Sequence, residues 1–140
     1  MKLWPLLLVV AAPLTDSKPK EDVAVKELKA MEGTWIVVSH TVNGKKASDA
    51  GYYSPRELVI KDRKLHLYDE PSPLKIDPTK TPKEINVYHP GAMMLNAHSK
   101  GIYELEKDEL RISLPLSVVT ERPRKLTSDK AELFMLQRKK

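Results

Sequence analysis

The 140-residue sequence predicts an all-β fold, an antiparallel barrel of about eight strands behind a short N-terminal helix. Three observations carry this expectation. Only one segment, 22–31, repeats its apolar residues at helical spacing. From Thr34 onward the apolar residues recur with period 2, the spacing that places alternate side chains on opposite faces of a sheet. The apolar runs are short and closely spaced, with polar turns between them, as in sandwiches and barrels.

The chain starts with an address. Met1-Lys2 is positive, the stretch from Leu3 to Ala12 is apolar except for Pro5, and Pro13 to Ser17 turns polar. About ten apolar residues cannot span a bilayer, which needs ~20. A charged start, a short apolar core and a polar exit describe a secretory signal. No clean Ala-x-Ala precedes a cut, so cleavage is placed after Ser17. Residues 1–17 are then the signal peptide and 18–140 the single mature domain. The expected location is periplasmic or extracellular, without a transmembrane segment.

In the mature chain, Asp22 is expected to cap a helix over 22–31. Val25, Leu28 and Met31 share one face, and Gly33 ends it. Strands are expected over 34–40, 57–61, 64–68, 74–77, 84–88, 101–105, 109–114 and 132–138. Tight turns are expected at Asp62-Arg63 and Lys107-Asp108, where Asp tolerates the left-handed backbone such turns need. Two prolines stiffen the loop over 77–82. Leu58 and Ile60, Leu65 and Leu67, Ile85 and Val87, and Leu110, Ile112 and Leu114 each share a face. Between them lie Lys61, Lys64, His66, Asn86, Arg111 and Ser113. One face is apolar and the other wet, and eight such strands can close to remove exposed edges.

Composition excludes several classes of chemistry. The absence of Cys removes a disulfide framework, thiolate metal sites and a cysteine nucleophile. His40, His66, His89 and His98 have no metal-ligand spacing and are expected to be solvated, with His89 and His98 in loops. No Gly-x-Ser-x-Gly elbow marks a catalytic serine, although residue types alone leave a Ser-His-Asp arrangement open. No Gly-rich phosphate loop is present. No catalytic residue, metal or cofactor is therefore expected. The net charge is +5, and the lysines and arginines are scattered, with local clusters at 61–64, 122–125 and 138–140. Without interleaved aromatics these clusters do not suggest nucleic-acid binding; they read as solvated surface with some attraction to anionic envelope polymers. The segment 89–96 places Ala92, Met93, Met94 and Leu95 in a row, readable as a tucked loop or as an adaptable apolar lid.

Four blocks resemble a family of small secreted lipocalin-like domains abundant in planctomycetes: ELKAMEGTWIVVS at 27–39, ELVIKD at 57–62, IDPTKTPKEI at 76–85 and GIYELEKDELRI at 101–112. The likeness covers nearly all of the mature chain. It departs at 122–126, where the family commonly continues Arg-Pro with Thr-Glu-Phe, and between Tyr88 and Gly101. The resemblance implies a lipocalin-like (calycin-like) barrel and export, with no established activity. Gly33-Thr34-Trp35 resembles the Gly-x-Trp signature of lipocalins. There the tryptophan closes the barrel floor and an arginine on the last strand, here Arg138, packs across it. These residues would be structural.

Two functions follow. The first is a monomeric binding module for a small apolar ligand, held among Val37, Leu58, Ile60, Leu67, Ile85 and Ile112, with Met93, Met94 and Leu95 at the mouth. The second is a structural or protein-interaction module of the cell envelope with a filled core.

Overall fold

A computed structural model describes residues 17–67, 70–89, 98–117 and 121–140. Residues 1–16 of the expected address, Tyr68, and the expected mouth residues Met93, Met94 and Leu95 lie outside the described residues.

The helix α1 (Ser17–Met31) starts five residues earlier than expected. Asp22 therefore lies inside it and is not its cap. Pro19 is tolerated in the first turn because the N–H it lacks would have no helical partner there. The strands are β1 (Gly33–Val42), β2 (Lys45–Lys46), β3 (Glu57–Lys61), β4 (Lys64–His66), β5 (Ser72–Asp77), β6 (Lys83–Tyr88), β7 (His98–Glu106), β8 (Glu109–Pro115) and β9 (Ala131–Arg138). Each pairs antiparallel with its neighbour in the order β2-β1-β3-β4-β5-β6-β7-β8-β9, and β1 also pairs with β9. Eight strands thus close into a lipocalin-like barrel, and β2 is an extra strand on β1. Closure leaves the eight strands no unpaired edge.

The turns follow local chemistry. Asp62 and Arg63 both take positive φ (52° and 62°), as a two-residue hairpin needs. At the next hairpin it is Lys107 (φ 44°), not Asp108, that is left-handed. Asn43-Gly44 (φ 51° and 78°) turns β1 into β2, a hairpin the strand expectations passed over although Asn-Gly is its strongest short signal.

Inside the barrel, one cluster unites Trp35, Leu58, Ile60, Ile85, Tyr103, Leu110, Ile112 and Phe134 with their neighbours, and Ala24 and Leu28 of α1 pack against it. Strand β1 contains an irregularity. Its register against β9 shifts between Val37 and Ser39. Trp35 points inward before the shift, and Ile36 and Val38 point outward at 41% and 63% exposure. After it, His40 and Val42 point inward at 5% and 1%. A one-residue bulge reverses which side chains face the core. Among the described residues, no helix is long and apolar enough to cross a membrane.

Candidate functional site

The two barrel ends carry different chemistry. At the end closed by α1, Trp35 is fully buried and its Nε1–H donates to the Met31 carbonyl at 2.9 Å. The Arg138 guanidinium lies 4.4 Å from the Trp35 ring centroid. Its Nη1 and Nη2 donate to the carbonyls of Glu32 (2.8 Å) and Ala30 (2.6 Å), where the helix leaves acceptors unpaired. Asp108 sits 3.3 Å from its Nε. Gly33, at φ 138°, is needed here, since a Cβ would stand 3.0 Å from Arg138 Nη1. Beside this group, Lys83 Nζ donates to both Glu27 carboxylate oxygens at 3.1 Å, and the Tyr103 hydroxyl donates to Glu27 Oε2. Burial, then the hydrogen bond and charge of Glu27, push the Tyr103 phenol well above its usual value.

The expected lining residues belong to the packed interior. Leu58 and Ile112 are 2% exposed, and Ile60 and Ile85 are 0%. Val37 and Leu67 are half-buried against the same cluster. A side chain at 0% meets no space wide enough for water. The core is least sealed at Leu74 and Ile76, both 6% exposed, where a groove of about 510 Å³ opens between α1 and β5 beside Leu28 and Arg63.

At the far end, sequence reasoning missed a polar constellation. His40 is not solvated. Its ring stacks on Phe134, its partner across the β1–β9 ladder, with centroids 4.0 Å apart and planes 15° apart. Its Nδ1 lies 3.1 Å from Ser54 Oγ, and its Nε2 lies 3.0 Å from Glu132 Oε1. The His40 side chain is 1% exposed and that of Glu132 19%. The parity reversal at Val38 is what turns His40 inward, and alternation alone cannot reveal it. His89 Nε2 lies 2.7 Å from the hydroxyl of buried Ser99. Burial holds the His89 imidazole below its usual range; nearby Glu132 works against this and His98 with it. His98 opens β7 and is not in a loop, and its ring lies 4.9 Å from that of Tyr88.

In the basic cluster at 122–125, Arg122 is more engaged than a solvated side chain would be. Arg122 straps β6 to β7, donating to the Gly101 carbonyl (2.7 Å), the Ile85 carbonyl (3.3 Å) and Asn86 Oδ1 (2.9 Å). Gly101 lets β7 and β8 approach closely: a Cβ there would lie 2.3 Å from the Ser113 carbonyl oxygen. Among the described residues, no group of three or more His, Asp or Glu side chains is placed to hold a metal ion. No family model, curated protein or solved structure matches the chain.

Proposed function

We propose that this chain is an exported lipocalin-like domain, akin to the secreted planctomycete domains it resembles, with a filled barrel whose outer surface and rims do its binding in the cell envelope. The observation that supports this reading is the near-zero exposure of Leu58, Ile60, Ile85 and Ile112, the side chains a central ligand would have to touch. Ligand pockets of ~300–1,000 Å³ need such walls to face open space. The competing reading, uptake of a small apolar ligand, draws its support from the groove along Leu28, Leu74 and Ile76.

Native mass spectrometry of protein purified from its own host separates the two. The bare polypeptide mass is expected. A stoichiometric apolar molecule that co-purifies overturns the filled-barrel reading. The same spectrum tests export, because a mature chain starting near residue 18 is expected and a retained Met1 overturns it.

A further inference from the structure

We propose that Ser54, His40 and Glu132 form a nucleophilic site that cleaves carboxylic esters at the far end of the barrel. The proposal is independent of whether the interior is filled. It starts from hydrogen-bond roles. An ionised Glu132 can only accept, so the 3.0 Å contact assigns the proton to His40 Nε2. A neutral imidazole protonated there presents a lone pair at Nδ1, and Ser54 Oγ, 3.1 Å away, is then the donor. A hydroxyl that donates to an imidazole, itself oriented by a carboxylate, is the arrangement that activates a serine.

The parts are held in place before any substrate arrives. Stacking on Phe134 fixes the plane of the His40 ring. The loop carrying Ser54 is tied down on both sides of the base. Ala47 N–H donates to the His40 carbonyl at 2.9 Å, and Tyr52 N–H to the Ala47 carbonyl at 2.8 Å. Val37 N–H donates to the Arg56 carbonyl at 2.9 Å. The His40 side chain is 1% exposed and Ser54 is half-buried, so substrate, leaving alcohol and water all approach the pair from the Ser54 side. Tyr52 and Tyr53, the two residues before Ser54 in the chain, are 41% and 67% exposed and are the apolar surface assigned to the ester's hydrocarbon part.

In the reaction, Ser54 Oγ forms a bond to the ester carbonyl carbon and its proton passes to His40 Nδ1. The bond from that carbon to the alcohol oxygen breaks, and the alcohol leaves with the proton from Nδ1. Water then attacks the acyl-serine, giving one proton to Nδ1. The acid is released, and that proton returns to Ser54 Oγ. Glu132 touches no substrate; it is a positioning residue that keeps the imidazole in the competent tautomer.

The test is labelling of the folded chain with a fluorophosphonate probe, read by intact mass and peptide mapping, alongside hydrolysis of p-nitrophenyl acetate. One adduct per chain at Ser54 is expected, with none on S54A or on urea-unfolded protein. H40Q, which keeps hydrogen-bonding groups but supplies no base, should label about 100-fold more slowly. E132Q should slow labelling ~10-fold or more at unchanged adduct site. S99A, which alters only the separate His89 pair, should label at the parent rate. If H40Q does not fold, S54A and E132Q carry the test. No adduct on the folded chain, an adduct that S54A retains, or an E132Q rate equal to the parent overturns the proposal.

Discussion

The floor and the far end of this barrel both pair polar groups, but they do so with different chemistry. At the floor, the charged groups are Arg138, Lys83, Glu27 and Asp108, and they are matched to one another, to the end of α1 and to the Trp35 ring. At the far end the groups are imidazoles, hydroxyls and one carboxylate: His40, His89, Ser54, Ser99 and Glu132. A guanidinium over an indole contributes ~0.5–2 kcal/mol and keeps its charge at any ordinary pH. An imidazole changes charge near neutrality and can pass a proton. The floor is thus built for closure, and the far end has the residues that chemistry could use.

The comparison can be broken at the floor first. Trp35→Ala should cost ~3–5 kcal/mol in urea unfolding, since it empties a fully buried indole site and removes the face on which Arg138 rests. Near-parental stability would contradict the floor assignment. Tyr103→Phe should cost about 1–3 kcal/mol, because Glu27 loses a donor while keeping Lys83.

The two ends should also fail at opposite ends of the pH scale. Tyr103 is held protonated in the fold, so above its usual 10.0 the unfolded chain gives up its proton first. Stability from this group is complete below pH 10 and falls as pH rises beyond it. The alkaline loss should be shallower in Tyr103→Phe, as equilibrium unfolding across pH 9–11 would show. His89 is held neutral, so its contribution is complete above the usual 6.5 and is lost as pH falls through the depressed folded value. His89→Gln should flatten the acid arm; an unchanged slope would remove His89 as its source. The smallest effect is expected on the outer wall. Lys139→Ala breaks an exposed pair with Glu57 (2.8 Å) and should cost only ~0.2–1 kcal/mol, less still in high salt.

Much of the barrel wall was legible in sequence because alternation is local. Leu58 and Ile60, or Leu110 and Ile112, declare their shared face within one strand, and the Asp62-Arg63 turn joins two such runs. Gly33, Trp35 and Arg138 could be singled out by resemblance alone, and the fold brings them together at one end. Arg122 and Gly101 were not legible. Their roles depend on carbonyls of neighbouring strands that no spacing in the sequence brings together. Asn43-Gly44 was legible and was passed over, because β2 is only two residues long and leaves almost no alternation to notice.

By itself, the sequence determined the fold class, most strand positions and the identity of the core, because hydrophobic burial acts on patterns a few residues long. Tertiary structure alone decided that the interior side chains pack closely and that His40 faces inward. The second decision rests on the bulge at Val38. An extra residue in one strand has meaning only against its partner, and the partner that reveals it belongs to β9, with Glu132 lying 92 residues from His40 in the chain. Pairing over that separation is set by closure of the whole barrel, and no local window contains it.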